Sequence, residues 1–290
     1  MGFPKGFREF DIDTTAGTIH GVIGGQGPPL LLMHGFPQTH LMWAAVAGPL
    51  ASGHTIVATD LRGYGGSSAP SPSVADYSMR GLALDQTEVM TALGFDRLDV
   101  AGHDRGARCA YRMAIDHPER VRRLAVLDIV PTAEAFDRAD HRFALGFWVW
   151  SFLAAPAPVP ENLILAGADG FIDHVLEVWA DPGFEFAEDD RLAYRRQFHD
   201  RSRVHAICAQ YRCAATIDAD LDRIDGPRRP ISCPTLVLWS ASGALAQWYE
   251  PLDIWRRWST QVEGESMRAG HFLPEEAPDL VSRRFLEFFG

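Results

Sequence analysis

The sequence lacks long apolar runs, clustered cations and a cysteine framework, and each absence removes a class of function. The most apolar stretch, from Phe143 to Ala155, is about half the length of a bilayer span and runs into Pro156 and Pro158. No transmembrane helix is therefore expected. The N-terminal stretch MGFPKGFREFDIDTT has no apolar h-region, which argues against a secretory signal. Lys and Arg number 27 against 38 Asp and Glu, for a formal net charge of -11, and they form no run. Nucleic acids and anionic membranes are held by clustered positive charge, so neither is an expected partner. Cys109, Cys208, Cys213 and Cys233 contain no CxxC pair, and a chain of 290 residues does not need disulfide staples. Reduced, mostly buried thiols in a cytoplasmic protein are the expectation. There is no internal repeat and no low-complexity tract.

What is present suffices for a sizeable core, since 47% of the residues are apolar and 22% charged. Short apolar runs alternate with helical patterns. Pro29-Leu30-Leu31-Leu32-Met33 reads as a strand buried on both faces, followed by His54–Ala58, Leu98–Ala101, Leu124–Leu127 and Pro234–Trp239. Ser78 to Leu93 and Ala107 to His117 read as helices, the second stopped by Pro118. This alternation predicts an α/β fold with a mainly parallel sheet. From 131 to 225 the strand pattern gives way to aromatics (Phe143, Phe147, Trp148, Trp150, Phe152) and amphipathic helices. A helical cap over 131–225, inserted between core segments 1–130 and 226–290, is the economical reading. It would cover the sheet edge where open α/β sheets bind ligands.

The strongest local signal is Gly102-His103-Asp104-Arg105-Gly106, set between a strand and a helix. Flanking glycines permit the strained turn of a nucleophile elbow, which lifts one side chain above the sheet. Here that side chain is a carboxylate; an N-cap is the plain alternative for such an Asp. A serine attacking a saturated carbon would leave an ether that water cannot readily cleave. A carboxylate leaves an alkyl ester that a second step can hydrolyse. Asp104 therefore points to displacement of halide or opening of an epoxide. His271, in Ala269-Gly270-His271-Phe272, is the candidate base for the second step. Its orienting carboxylate is sought after the penultimate strand, but Trp239–Leu245 contains no acid. Asp128, directly after Leu124–Leu127, is the substitute, with a turn-capping Asp as the plain alternative.

Arg105 follows the nucleophile and Arg108 lies one helical turn on. Two guanidiniums beside a required carboxylate suit a substrate that carries its own carboxylate, which they would clamp and aim. The backbone N–H groups of Phe36, in His34-Gly35-Phe36-Pro37, and of Arg105 could form an oxyanion hole. Trp150 and Tyr211 could donate hydrogen bonds to a leaving halide. Nothing shows metal-ligand spacing, so no metal or organic cofactor is expected.

With HGFPQT at His34–Thr39, DLRGYGGS at Asp60–Ser67, GHDRGAR at Gly102–Arg108, LDIVPT at Leu127–Thr132 and AGHFLPEEAP at Ala269–Pro278, the chain resembles the alpha/beta-hydrolase superfamily. Within it, the Asp-Arg-x-x-Arg element is similar to the fluoroacetate (haloacetate) dehalogenases. The resemblance covers nearly the whole chain. It implies an eight-stranded core, Asp104 as nucleophile, His271 as base, Asp128 as its partner, Arg105 and Arg108 as carboxylate anchors, and a homodimer. Trp150 and Tyr211 match two of the three halide-contacting positions. The third is a histidine in that family and Val149 here, which puts fluoride departure in question more than chloride departure. Epoxide hydrolases share the Asp/His/Asp logic but need two lid tyrosines, and Trp150 stands where the second would be. A non-catalytic ligand receptor would be expected to have a broken triad.

Overall fold

The structure is a computed structural model and describes residues 2–70 and 73–290. Eight strands make one sheet: β1 (Arg8–Thr14), β2 (Gly17–Gly25), β3 (Pro29–Met33), β4 (Thr55–Thr59), β5 (Leu98–His103), β6 (Val121–Leu127), β7 (Thr235–Ser240) and β8 (Val262–Met267). Their spatial order is β1-β2-β4-β3-β5-β6-β7-β8. The pairs β1–β2 and β2–β4 are antiparallel; every pair from β4 to β8 is parallel. The five strands read as apolar runs are the sheet's centre, where Leu30, Leu31, Leu32, Val100, Ala101 and Leu124 have no exposed surface.

Helices cover both faces, as parallel strands require. α1 (Ala44–Leu50), α2 (Met79–Ala92) and α3 (Arg105–Asp116) follow β3, β4 and β5. Between β6 and β7 the chain is helical, with α4 (Thr132–Asp137), α5 (His141–Gly146), α6 (Trp148–Ala154), α7 (Val159–Ala166), α8 (Ala168–Trp179), α9 (Glu188–Arg196), α10 (Arg201–Cys213) and α11 (Ala219–Asp225). After β7 come α12 (Ala244–Trp248), α13 (Pro251–Trp258), α14 (Leu273–Glu276) and α15 (Pro278–Phe289). One apolar core joins α2, α3 and α13 to the helices between β6 and β7, and the other packs α1 and α15 on the opposite face.

The chain passes from β3 outward to β4 and then returns to β5 on the other side of β3, so strand direction of travel reverses between β3 and β5. At such a switch point the loops diverge and leave a crevice at the carboxyl ends of the strands. Asp104 and Phe36 stand at that crevice. The elbow helix starts at Arg105, two residues before its expected start, because the turn is made at Asp104, whose φ is positive. Among the described residues no helix is long and apolar enough to cross a membrane. The four cysteines are free, with Cys233 the one not fully buried. Burial pushes the Cys208 thiol up to about 12, so it carries little nucleophilic character.

Candidate active site

Asp104 has φ 45° and ψ -113°, a conformation L-residues rarely adopt and one that costs about 1–3 kcal/mol. The neighbours compel it. A Cβ on Gly106 would lie 2.2 Å from the Met33 carbonyl oxygen, and one on Gly102 would lie 2.4 Å from the Gly106 backbone. Only glycine lets β5, the elbow and β3 approach this closely. The Asp104 side chain makes no capping bond to α3. Its Oδ1 instead accepts the Phe36 N–H at 3.0 Å. The N-cap alternative is thereby excluded.

Asp128 also has positive φ, 54°, at the end of β6. Its two oxygens have separate tasks. Oδ1 accepts the Ser240 N–H at 2.9 Å, anchoring the carboxylate to the end of β7, and Oδ2 lies 2.7 Å from His271 Nδ1. Oδ1 thus ties the end of β6 to the end of β7 and not to a turn of its own, and Oδ2 meets the His271 ring. With Nδ1–H committed to Asp128, His271 Nε2 is left as an acceptor, and it has no protein partner. Burial lowers the His271 pKa, but the hydrogen bond and charge of Asp128 and the charge of Asp104 outweigh it, and the net direction is up. Burial would likewise raise Asp104; His271, His103, Arg108 and the Phe36 N–H outweigh it, and the carboxyl is held below its ordinary range. His103, between Gly102 and Asp104, donates from Nε2 to the His271 carbonyl at 2.7 Å. Burial first, then His271, pushes its pKa down to about 3, so it stays neutral.

The His271 loop is fixed by a residue that sequence reading left without a role. Glu276 accepts the N–H groups of Gly270 and Asp181 at 2.7 Å each and that of Phe272 at 2.8 Å. The His271 N–H reaches the Trp179 carbonyl at 2.8 Å. These bonds tie the base loop to the segment that follows α8. The available signal was a Glu within the first turn of the short helix after His271, where carboxylates habitually accept free N–H groups.

A cavity of about 510 Å³ opens beside this constellation. Asp104, Asp128, His271, Arg108 and Trp150 line it together. Arg108 donates to the Val130 carbonyl and to Thr132 Oγ1, both at 3.0 Å, and its guanidinium lies 4.4 Å from the Trp150 ring centroid. Tyr111 holds Thr132 in turn, at 3.0 Å, and donates to Asp222 at 2.8 Å. Arg105, Tyr211, Phe36 and Val149 are fully buried and are not on the cavity wall. The Arg105 guanidinium lies 4.7 Å from the Tyr211 ring centroid and donates to the Gln210 carbonyl at 2.9 Å, while its Nε and one terminal nitrogen have no protein partner. Val149 packs in the apolar core.

One cluster of metal-competent side chains occurs among the described residues: His20, His40 and Asp60, outside the cavity. The Asp60 oxygens there already accept the His40 N–H at 2.7 Å, the His40 ring at 2.8 Å and the Gly66 N–H at 2.7 Å. They form an ion-paired network rather than an open ligand set.

Residues 28–278 match the family model of the alpha/beta hydrolase fold. The chain is similar to a fluoroacetate dehalogenase from Burkholderia sp, 43% identical over 98% of this chain and 94% of the relative. It is also similar to a soluble epoxide hydrolase from Corynebacterium sp. (strain C12), 30% identical over 93% of each. A solved alpha/beta hydrolase from Nostoc sp PCC 7120 superposes with a TM-score of 0.95 at 45% identity, over 98% of both chains. The elbow, the His271–Asp128 pair and these likenesses converge: the chain belongs to the alpha/beta hydrolase family, in the part of it that includes fluoroacetate dehalogenase.

Proposed function

We propose that the protein hydrolyses the carbon–halogen bond of 2-halocarboxylic acids through an ester on Asp104. The observation that carries this reading is a carboxyl group, not a hydroxyl, at the tip of the elbow, in one cavity with an Arg108 guanidinium and a free His271 Nε2. The substrate carboxylate pairs with Arg108, with the neighbouring Arg105 adding positive charge, which places the halogen-bearing carbon at Asp104. An Asp104 oxygen attacks that carbon, and the carbon–halogen electron pair leaves as halide, with Trp150 on the cavity wall as its donor and Tyr211 packed behind the Trp150 ring. His271 Nε2 then takes a proton from water, and the resulting hydroxide attacks the Asp104 ester carbonyl. The Phe36 N–H, already on Asp104 Oδ1, faces the charge that develops there. Collapse releases the 2-hydroxy acid and regenerates Asp104. The helices over 131–225 act as the cap on this site.

Halide release measured by ion chromatography from fluoroacetate and chloroacetate, with styrene oxide as a diol-forming control, tests the reading. Halide without diol is the expected result; diol without halide would assign the chain to its epoxide-hydrolase relatives' chemistry. Val149 supplies no hydrogen-bond donor, and losing one costs on the order of 1–3 kcal/mol. Chloroacetate is therefore expected to exceed fluoroacetate in kcat/KM by at least about tenfold. Equal kcat/KM on the two acids would show that the missing donor does not limit fluoride departure.

The pH dependence follows from the His271 shift. The base works only when neutral, and folding raises its pKa above 6.5. Turnover should fall as pH drops through a midpoint above 6.5, with the Asp104 ester accumulating, since Asp104 itself stays ionised there. An acid limb centred below 6.5 in a steady-state profile on chloroacetate would contradict this assignment.

A further inference from the structure

We infer that the acid accepted here carries a bulky apolar arm on its halogen-bearing carbon, an arylmethyl group being the fitting case. This rests on the dehalogenase reading and extends it to the substrate. At about 30 Å³ per heavy atom, the share of one water in the liquid, a haloacetate fills on the order of 150 Å³. The cavity is about 510 Å³. Most of it would then hold water against a surface that does not favour water.

That surface has polar and apolar parts. The polar groups, Asp104, Arg108, Asp128 and His271, gather at the sheet's carboxyl edge. Phe143, Phe147 and Trp148 of the cap and Leu245 and Tyr249 near α12 also line the cavity, together with Asp181 and Ser242. Phe143, Phe147 and Trp150 pack with centroids 5.2 to 5.9 Å apart, so the aromatic wall is braced rather than loose. The apolar lining continues outward to Leu145 and Val178, which are 75% and 58% exposed. A small hydrophilic anion leaves this wall wet, whereas a ligand that covers it gains the hydrophobic contribution. The carboxylate is committed to Arg108 and the halogen to the side opposite Asp104. Growth from the 2-carbon toward the cap is the direction left.

The test compares two secondary chlorides of similar intrinsic reactivity, 2-chloropropanoate and 2-chloro-3-phenylpropanoate, by chloride release. The phenyl acid is expected to have a kcat/KM at least about tenfold higher, which corresponds to about 1.4 kcal/mol. Ala244→Trp, which places a bulky ring on the cavity wall beside Leu245, is expected to cut that ratio about tenfold. Chloride from chloroacetate with no advantage for the phenyl acid would overturn the inference and leave the dehalogenase reading standing. A phenyl preference that Ala244→Trp does not change would also overturn it. Absence of halide from every acid would remove both.

Discussion

Asp104→Asn is expected to lower halide release from chloroacetate by about 10⁴-fold or more, the scale on which loss of a nucleophile is felt in covalent hydrolases. An amide oxygen is a far weaker nucleophile than a carboxylate, and the other carboxylates on the cavity wall are engaged: Asp181 Oδ1 accepts from Ser242 Oγ at 3.2 Å. Asp128 lines the same cavity, but its oxygens are engaged by Ser240 N–H and His271 Nδ1–H. The substitution is also mild for the fold. Asn tolerates positive φ, and its Oδ1 can keep the bond that Phe36 N–H gives to Asp104 at 3.0 Å. The thermal midpoint should therefore move by a few degrees at most, a change of about 1 kcal/mol for a domain of this size. Halide release, circular dichroism and intact mass on one preparation separate the cases. Folded protein that neither turns over nor gains the mass of a carboxymethyl group fits the nucleophile assignment. Folded protein with more than about one per cent of the activity would refute it.

The parts of this site that were legible in the sequence are those whose chemistry is local. Gly102-x-Asp104-x-Gly106 between an apolar strand and a helix announces its own geometry, because only that spacing lets the elbow close against β3. The central strands announce themselves too, being buried on both faces and hence continuously apolar. The edges did not. β8 reads Val-Glu-Gly-Glu-Ser-Met with Glu263, Glu265 and Ser266 exposed, and β2 carries Gly21 and Gly24 where Phe10 and Phe7 press against the backbone, so neither looks like an apolar run. β1 did have a signal, Phe10 and Ile12 alternating with acids, which a search for continuous apolar runs passes over. Position Asp128 could be reached only by noting the missing acid after β7; its 2.7 Å bond to His271 Nδ1 fills the place of that acid. The placement of Arg105 and Tyr211 behind the cavity wall, and the Glu276 bonds to two separate segments, depend on contacts between residues far apart in the chain. No local pattern encodes those.

His271→Ala should separate the two chemical steps. Attack by Asp104 needs no proton transfer, so halide should still appear, in one burst of about one equivalent per chain. Hydrolysis of the ester loses its general base, a loss of about 10²–10⁴-fold. The protein should then carry the carboxymethyl group on Asp104, visible as a stoichiometric gain in intact mass and, after digestion, on the peptide containing Gly102 to Gly106. Two side effects have predictable signs. Removing the imidazole takes away the first-named charge that holds Asp104 low, so its pKa rises, yet at pH 8 it remains ionised and the burst persists. Removal also leaves Asp128 Oδ2 without its 2.7 Å partner in a site where that carboxylate is 7% exposed, which costs about 1–3 kcal/mol of stability. His271→Gln answers that objection, since its amide N–H can reach Asp128 while the side chain still cannot accept a proton at neutral pH. If both variants accumulate ester and only the alanine is less stable, the trapped intermediate reports on the base and not on a damaged site. If the glutamine variant turns over freely, water is activated by some other group, and the assignment of His271 fails while that of Asp104 survives.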